Sequence, residues 1–459
     1  MAPKFPPPFP VANSTLSFWR TELHALDSHR STPELPSHVD ILIIGAGFSG
    51  VSTAYHLLDN DNKQQPSIAI LEAREACSGA TGRNGGHIKP DLYFNVSKYA
   101  AKYGTAAAAE VALFEASQVY AMKKLVEKEK IDCDFILTRA IDATVDAQIA
   151  KESIAAYTKL SKEGVVEVIN DVQYHTQKDA EGVSGVKGAL CAFSFTAASI
   201  WPYKMVMHLL NLVVSKGVNL QTHTAVTEIS ETRDSDGFYT VKTKDRGSMK
   251  AKKIVFATNA YTAGIAPQFT NKIVPVRGIC SRIVAPKETT PLLTTSSSVR
   301  YGHMLYDYLI PRADGSIVVG GAKQDFWNSL PHEWYGNVDD SKLIEPAKNY
   351  FDGYMQRTYR GWENSGAKVD KVWTGIMGYS SDYMPYVGHI PGKPGQLVVA
   401  GFSGHGMPLI LRSTKGIADM ILKDLPFKLT GVPRLFKVTK ERMESQKNEI
   451  LSQEKLARL

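Results

Sequence analysis

Residues 40–50, DILIIGAGFSG, restrict what this chain can fold into more than any other stretch. An apolar run over 41–44, glycines at Gly45, Gly47 and Gly50, and a helix-forming continuation over 51–58 predict the strand–turn–helix that opens a nucleotide-binding α/β unit. Gly45 lets the backbone leave the strand in a tight turn, Gly47 lets it approach a pyrophosphate, and Gly50 lets the helix pack on the sheet. Ala46, Phe48 and Ser49 complete a turn whose free N–H groups, at the positive end of a helix, suit a diphosphate. A second apolar run, SIAIL, ends at Glu72, 22 residues after Gly50. A carboxylate there accepts both hydroxyls of a ribose and disfavours a 2′-phosphate, so a dinucleotide other than NADP is expected, with Ala73 and Arg74 beside it.

At 459 residues the chain is long enough for two domains or one large one. Its 53 basic and 46 acidic residues leave a net charge of +7, without a long basic run or an aromatic–basic stripe. This predicts a mildly basic surface and no nucleic-acid partner. Cys77, Cys133, Cys191 and Cys280 are far apart, with no CxxC and no His pair at ligand spacing, which predicts a reducing compartment and no metal site. The sequence contains no apolar run of the roughly 18 residues that a span needs and no amino-terminal apolar core of a signal peptide, so neither a membrane span nor standard secretion is expected.

Residues 1–37 are rich in proline and read as an extended arm, either anchored on the body by Phe18 and Trp19 or free. After the nucleotide unit comes SGATGRNGGH, residues 78–87. So many small residues suit backbone pressed against a flat ligand, with Thr81, Asn84, Gly85, Gly86 and His87 along it and Arg83 or local amides meeting phosphate or ring oxygens. Helical spacing predicts one long helix over 97–130 and others over 146–163, 202–215 and 341–354. The run KIVFATNA ends in Ala257, Thr258 and Asn259, at the strand edge where doubly wound folds hold ligand. Strand-like runs at 274–284, 306–311 and 316–321 predict an antiparallel sheet in a second domain. A last apolar strand, 396–400, leads through GFSGHGM, with Gly404, His405, Gly406 and Met407, into a helix reaching 422. Three glycine-rich strand-to-helix junctions fit one long cofactor stretched across the sheet edge.

Taken together, IIGAGFSG, SGATGRNGGH, FATNAYT, YLIPRADGSIVVGGA and VWTGIMGYSSDYMPYVG followed by AGFSGHGM resemble the D-amino-acid-oxidase superfamily of FAD enzymes. The likeness spans about 39–422, lies in the branch of glycine oxidase, sarcosine oxidase and gamma-glutamylputrescine oxidoreductase, and in its GRNGG form is most similar to the last. It implies an α/β fold: a Rossmann-like, doubly wound FAD-binding domain over 38–98, 198–265 and 375–425, and an inserted antiparallel-sheet substrate domain over 99–197 and 266–374. The arm at 1–37 and a tail at 426–459 complete the division. It further implies that Glu72 holds the adenosine ribose, that the Val226 backbone meets adenine, and that the 81–87 loop lines the isoalloxazine. Gly404 to Met407 are implied to face the flavin N1–C2=O edge, where aligned donors stabilise negative charge, and Gly378 is a further cofactor-binding candidate.

The implied reaction transfers hydride from the carbon next to an amine nitrogen to flavin N5, giving an imine, with dioxygen reoxidising the flavin to yield hydrogen peroxide. A dehydrogenase with another acceptor, a biosynthetic oxidase of a larger tertiary amine, and a flavin-binding module without turnover are the other readings, and NAD is the runner-up cofactor. His87, Tyr308, Met377 and Trp373 are the catalytic or pocket-wall candidates. Met377 stands where glycine oxidase has a carboxylate-binding arginine, so a simple α-amino acid would lose its main anchor. Sarcosine oxidase carries its flavin on a cysteine near this point, and no cysteine follows Cys280 here, so the resemblance implies noncovalent FAD, with His87 the alternative attachment point. Lys323 and Arg312 are expected to be solvated, the alternative being a charge for oxygen activation or an acidic substrate. The final Ala457-Arg458-Leu459 resembles a peroxisomal address, with a cytoplasmic site the alternative. The oligomeric state is not legible.

Overall fold

The apolar run at 41–44 forms the buried end of the strand His38–Ile44. It pairs in parallel with Ser248–Phe256 on one side and Ile68–Leu71 on the other. Strands covered on both faces read as continuous hydrophobic runs, which is why these were visible in the sequence. The computed structural model describes residues 5–59, 65–164, 167–286 and 290–456. The first sheet runs Tyr386–His389, Gln396–Ala400, Ser248–Phe256, His38–Ile44, Ile68–Leu71, Asn219–Gln221, with the antiparallel pair Val226–Ile229 and Tyr239–Thr243 attached to Ser248–Phe256. The helix Phe48–Leu58 packs against Pro202–Ser215 and Ile410–Lys423, so the first and last helices of the unit lie side by side.

A second sheet runs Lys368–Ser380, Ile273–Val284, Ile317–Gly320, Leu305–Pro311, Ser296–Gly302, Ile136–Thr144, Cys191–Ser199, His87–Ile88, with Gln173–His175 on Cys191–Ser199. It is not wholly antiparallel as expected, because Ser296–Gly302 pairs in parallel with Ile136–Thr144. Two of its strands, Cys191–Ser199 and Lys368–Ser380, run across the boundaries expected at 197/198 and 374/375.

Other expectations are corrected by local backbone. The helix predicted over 97–130 is two, Phe94–Tyr103 and Thr105–Glu129, separated at Gly104, whose φ of +87° no helix contains. In place of one helix over 341–354 there is a short 3₁₀ turn, Glu345–Ala347, and a short helix, Tyr354–Thr358, entered through Gly353 at φ +64°. The arm is anchored: Phe18 and Trp19 are buried in the short turn Phe18–Arg20, capped by Ser17, and the Trp201 indole donates to Trp19 O at 2.8 Å. The tripeptide 457–459 lies outside the described residues. Among the described residues no helix is long and apolar enough to cross a membrane, and no cluster of His, Cys, Asp and Glu could hold a metal ion.

Candidate active site

The carboxyl ends of the parallel strands, the 78–87 loop and the 404–407 turn converge on one cavity of about 400 Å³. From the first junction Gly45, Gly47, Phe48 and Ser49 line it, and Glu72, Ala73 and Arg74 close one end. The loop contributes Thr81, Arg83, Asn84, Gly85 and His87, and the middle of the chain Val226, Ala257, Thr258 and Asn259. Gly404, His405, Gly406 and Met407 come from the last junction, and Tyr308 and Met377 from the second sheet. Five expected residues are not on the wall. Ala46 lies behind it, its N–H donating to Glu72 Oε2 at 2.8 Å, while Gly50, Gly86 and Gly378 are packing glycines. A Cβ on Gly50 would stand 1.8 Å from Gly45 O, on Gly86 2.4 Å from Ile200 O, and on Gly378 2.7 Å from Ala260 N. Trp373, expected as a pocket wall, is wholly buried in the core and donates through Nε1 to Arg83 O at 2.8 Å.

The nucleotide end has the chemistry a dinucleotide needs. Gly45 turns at φ +106° so close to the neighbouring strand that a Cβ there would lie 2.6 Å from Ala257 O. Gly47 caps the helix Phe48–Leu58 without a side chain in the way. Glu72 is fixed by N–H groups of Ala46 and Arg74 at 2.8 and 2.9 Å, one to each oxygen, which leaves acceptor capacity on both. Asn259 acts as a staple: its Oδ1 accepts from Gly401 N at 3.0 Å and ties the middle junction to the last.

Arg74 and Arg83 both line the cavity, with their guanidiniums engaged by protein acceptors. Arg74 donates to both oxygens of buried Asp340 at 2.8 and 3.0 Å, and to Val11 O. Arg83 donates to Ser78 O at 2.8 Å, Thr374 O at 2.7 Å, and Ser14 and Thr15 of the arm, with Asp340 at 3.5 Å. With most donors committed to protein acceptors, these guanidiniums clamp the arm and the loop together at the cavity wall. The arm itself reaches the cavity through Phe9 and Pro10, a contribution that its proline-rich composition did not reveal.

At the other end the walls are aromatic: Tyr308, Tyr306, Tyr379 and Trp334. The Tyr308 ring lies where a Cβ on Gly85 would be, 2.5 Å away, and its hydroxyl meets Cys280 Sγ at 2.9 Å. Met377 packs on Gly278 and Gly404. Sequence reasoning also missed Lys89 and Arg300, which line the cavity and share the buried carboxylate of Asp142 at 2.9 and 3.1 Å. Arg300 sits in the strand SSSVRYG, with nothing local to mark it. His405, expected to matter through its backbone, also pairs by Nε2 with buried Glu115 at 2.7 Å. Burial works against the imidazolium there, but Glu115 outweighs it and the pKa is raised. Neither Lys323 nor Arg312 is solvated: Arg312 is buried against Asp134 at 2.7 Å and over the Trp19 ring, while Lys323 is buried at the cavity wall.

His87 Nε2 is 2.7 Å from Ser296 Oγ, and burial, assisted by Lys89, pushes its pKa down to about 3. The unfolded chain therefore binds a proton that the native state refuses between the usual value, about 6.5, and about 3. This contribution to stability is complete above about pH 6.5 and is lost as pH falls, by at most about 1.4 kcal/mol per pH unit. His87→Gln is expected to flatten the decline in urea-unfolding free energy between pH 6 and 4. An unchanged slope would show that His87 charges freely in the native state.

A doubly wound sheet whose carboxyl edge, acidic strand end and glycine-capped helix frame one cavity defines a dinucleotide-binding protein. More particularly, the chain belongs to the DAO family of FAD-dependent oxidoreductases, whose family model matches residues 40–420, and FAD is its cofactor. It is 24% identical over 405 residues to gamma-glutamylputrescine oxidoreductase of Escherichia coli (strain K12), covering 84% of each chain. It is also 24% identical over 390 residues to glycine oxidase of Bacillus licheniformis, covering 83% of this chain and 93% of that one. Among solved structures, glycine oxidase from Geobacillus kaustophilus superposes with a TM-score of 0.69 at 20% identity, over 88% of this chain and 99% of that one. Iminodiacetate oxidase from Chelativorans sp. BNC1 follows the same fold, with a TM-score of 0.64 at 17% identity over 86% and 98%.

Proposed function

We propose that the protein oxidises a primary or secondary amine, or an N-substituted amino compound, at the carbon next to nitrogen, giving an imine, with dioxygen as the terminal acceptor and hydrogen peroxide as product. What carries the reading is the single cavity that joins a nucleotide cradle at Glu72 to an aromatic chamber at Tyr308 and Met377. FAD, when bound, supplies the ring that accepts the hydride. Glu72 would take the ribose hydroxyls, the N–H groups at 47–49 the diphosphate and the Val226 backbone the adenine, while the amides at 404–407 would supply donors to the ring. The FAD is held noncovalently, His87 being engaged by Ser296. Being uncharged at neutral pH, His87 does not repel a cationic amine. Tyr308 and Met377 shape the chamber.

In this division of labour the first sheet holds cofactor and the second holds substrate, the second reaching past the boundaries expected from the sequence through His87–Ile88, Cys191–Ser199 and Lys368–Ser380. Relatives named for glycine, gamma-glutamylputrescine and iminodiacetate, all amines, support the reaction class. The proposal extends to a peroxisomal address at 457–459, tested by whether deleting it changes where a tagged chain localises. A dehydrogenase passing electrons elsewhere is the second reading, favoured by the match to L-proline dehydrogenase from P. horikoshii, with a TM-score of 0.66 at 19% identity.

The test is anaerobic mixing of the yellow protein with a broad amine panel, then admission of air. Bleaching followed by peroxide release supports the oxidase, bleaching without reoxidation supports the dehydrogenase, and a flavin that stays oxidised with every amine sinks both. Met377→Arg places a bidentate donor in the chamber. The ratio of kcat/KM for glycine to that for an uncharged amine is expected to rise about tenfold or more, in line with a charge-assisted pair. An unchanged ratio would refute the placement of Met377.

A further inference from the structure

We infer that Lys323 is an anion anchor of the substrate chamber, so that the amine oxidised also carries a carboxylate; the second half of this rests on the reaction proposed above. The first observation is a census of the cations that line the cavity: Arg74, Arg83, Lys89, Arg300 and Lys323. Arg74 and Arg83 share Asp340, and Lys89 and Arg300 share Asp142. Lys323 shares nothing. It is 5% exposed, and among the described residues its ammonium has no carboxylate or carbonyl partner.

What surrounds that ammonium is aromatic. Nζ stands 4.1 Å from the centre of the Trp327 ring and 4.6 Å from that of Trp334, and Trp334 itself lines the cavity. Two indole faces offset part of the cost of taking a charge out of water, but not the whole of it. Burial lowers the pKa of Lys323 to about 7. An anion arriving in front of Nζ would supply the missing partner and restore the charge. A second ammonium arriving there would instead be repelled, which directs the amine end of a substrate elsewhere in the chamber.

The backbone that presents Lys323 is the second, independent observation. The strand Ile317–Gly320 leaves the sheet through Gly321 at φ +138° and Ala322 at φ +57°, a left-handed conformation uncommon for a residue with a side chain. Buried Asp307 holds this turn: its Oδ1 accepts from Ala322 N at 2.9 Å, and its Oδ2 accepts from Tyr350 OH at 2.5 Å. A Cβ on Gly321 would stand 2.1 Å from Asp307 Oδ1. A strained turn held by a buried carboxylate, with an unpartnered cation at its end, is the pattern of a positioned ligand contact. It also answers the loss at Met377, because the carboxylate is met from the turn after residue 320 and not from the strand that carries Met377. An ammonium acts as a point charge and makes no bidentate clamp, so discrimination of about ten- to a hundredfold is expected.

The test uses oxidised, FAD-loaded protein titrated with butyrate and, separately, with butyramide, following the visible spectrum of the flavin. No turnover is needed. Butyrate is expected to bind at least tenfold more tightly than butyramide, and Lys323→Met to bring the two to parity; Lys323→Gln serves if the first variant does not retain flavin. Equal affinities in the unaltered protein overturn the inference. So does a butyrate preference that survives both substitutions, whether or not reoxidation by dioxygen slows, since the anchor would then be the Arg300–Asp142–Lys89 cluster. Failure of every amine to bleach the flavin would remove the proposed reaction while leaving this binding result standing.

Discussion

Gly45→Ala is expected to yield a colourless protein, with less than a tenth of the FAD carried by the unaltered chain. The φ of +106° at this position disfavours any L side chain, at a cost on the order of 1–2 kcal/mol, before any contact is considered. The contact is the larger effect. A Cβ would lie 2.6 Å from Ala257 O, and that oxygen belongs to backbone at the end of a central parallel strand, so it cannot rotate away as a flexible side chain would. Relief requires the turn to lift off the sheet, carrying Gly47 and the start of the helix Phe48–Leu58 with it, and the donors meant for the diphosphate move too. Gly182→Ala provides the control. Gly182 lies within the helix Gln177–Ser184, with nothing within 4 Å of the added methyl, and the substitution is expected to leave FAD content unchanged and stabilise the fold by about 0.5–1 kcal/mol. Flavin absorbance of the purified proteins, before and after incubation with FAD, decides the matter. A Gly45→Ala protein with full flavin content would mean that this turn does not set the position of the cofactor.

The same residue shows why part of this molecule could be read in advance. Gly45, Gly50 and Gly404 are required by contacts that only a missing side chain permits, so residue type and geometry imply one another locally. The three junctions, the two-sided burial of the parallel strands and the position of Glu72 all followed from such local rules. The cations did not. Asp340 sits in the stretch GNVDDSKL, which has the composition of a surface loop, yet it is wholly buried because Arg74, far along the chain, reaches it. Lys323 and Arg312 were expected in water for the same reason: their aromatic neighbours, Trp334 and Trp19, arrive from other segments. Gly104 is a third kind of case. A glycine inside a helical pattern costs only about 1 kcal/mol, so periodicity carried the helix across a position where the chain in fact turns. Nor could the parallel pairing of Ser296–Gly302 with Ile136–Thr144 be foreseen, since side-chain alternation is identical in either direction.

Asp340→Ala is expected to destabilise the protein by roughly 3–5 kcal/mol, a large part of the total that a folded domain possesses. The Asp340 side chain is fully buried and is the carboxylate shared by Arg74 and Arg83. Its removal leaves two guanidiniums in the interior without the carboxylate they share. Burial already lowers the pKa of Arg83 to about 10 even with Asp340 present, an indication of how poorly the site solvates charge. Because Arg74 also holds Val11 and Arg83 holds Ser14, the disturbance reaches the arm whose Phe9 and Pro10 cover the cavity, and FAD should dissociate more readily. Asp340→Asn keeps the shape and one acceptor but not the charge, so its loss should be intermediate. The companion experiment removes the stranded charge: in Asp340→Ala combined with Arg74→Met, part of the lost stability should return, because the larger penalty lies in the unpaired guanidinium and not in the absent bond. Urea unfolding of the apo and FAD-loaded forms measures all four proteins. A loss below about 1 kcal/mol for Asp340→Ala, the range of exposed ion pairs, would mean that water enters this site and that the clamp contributes little to holding arm, loop and cofactor together.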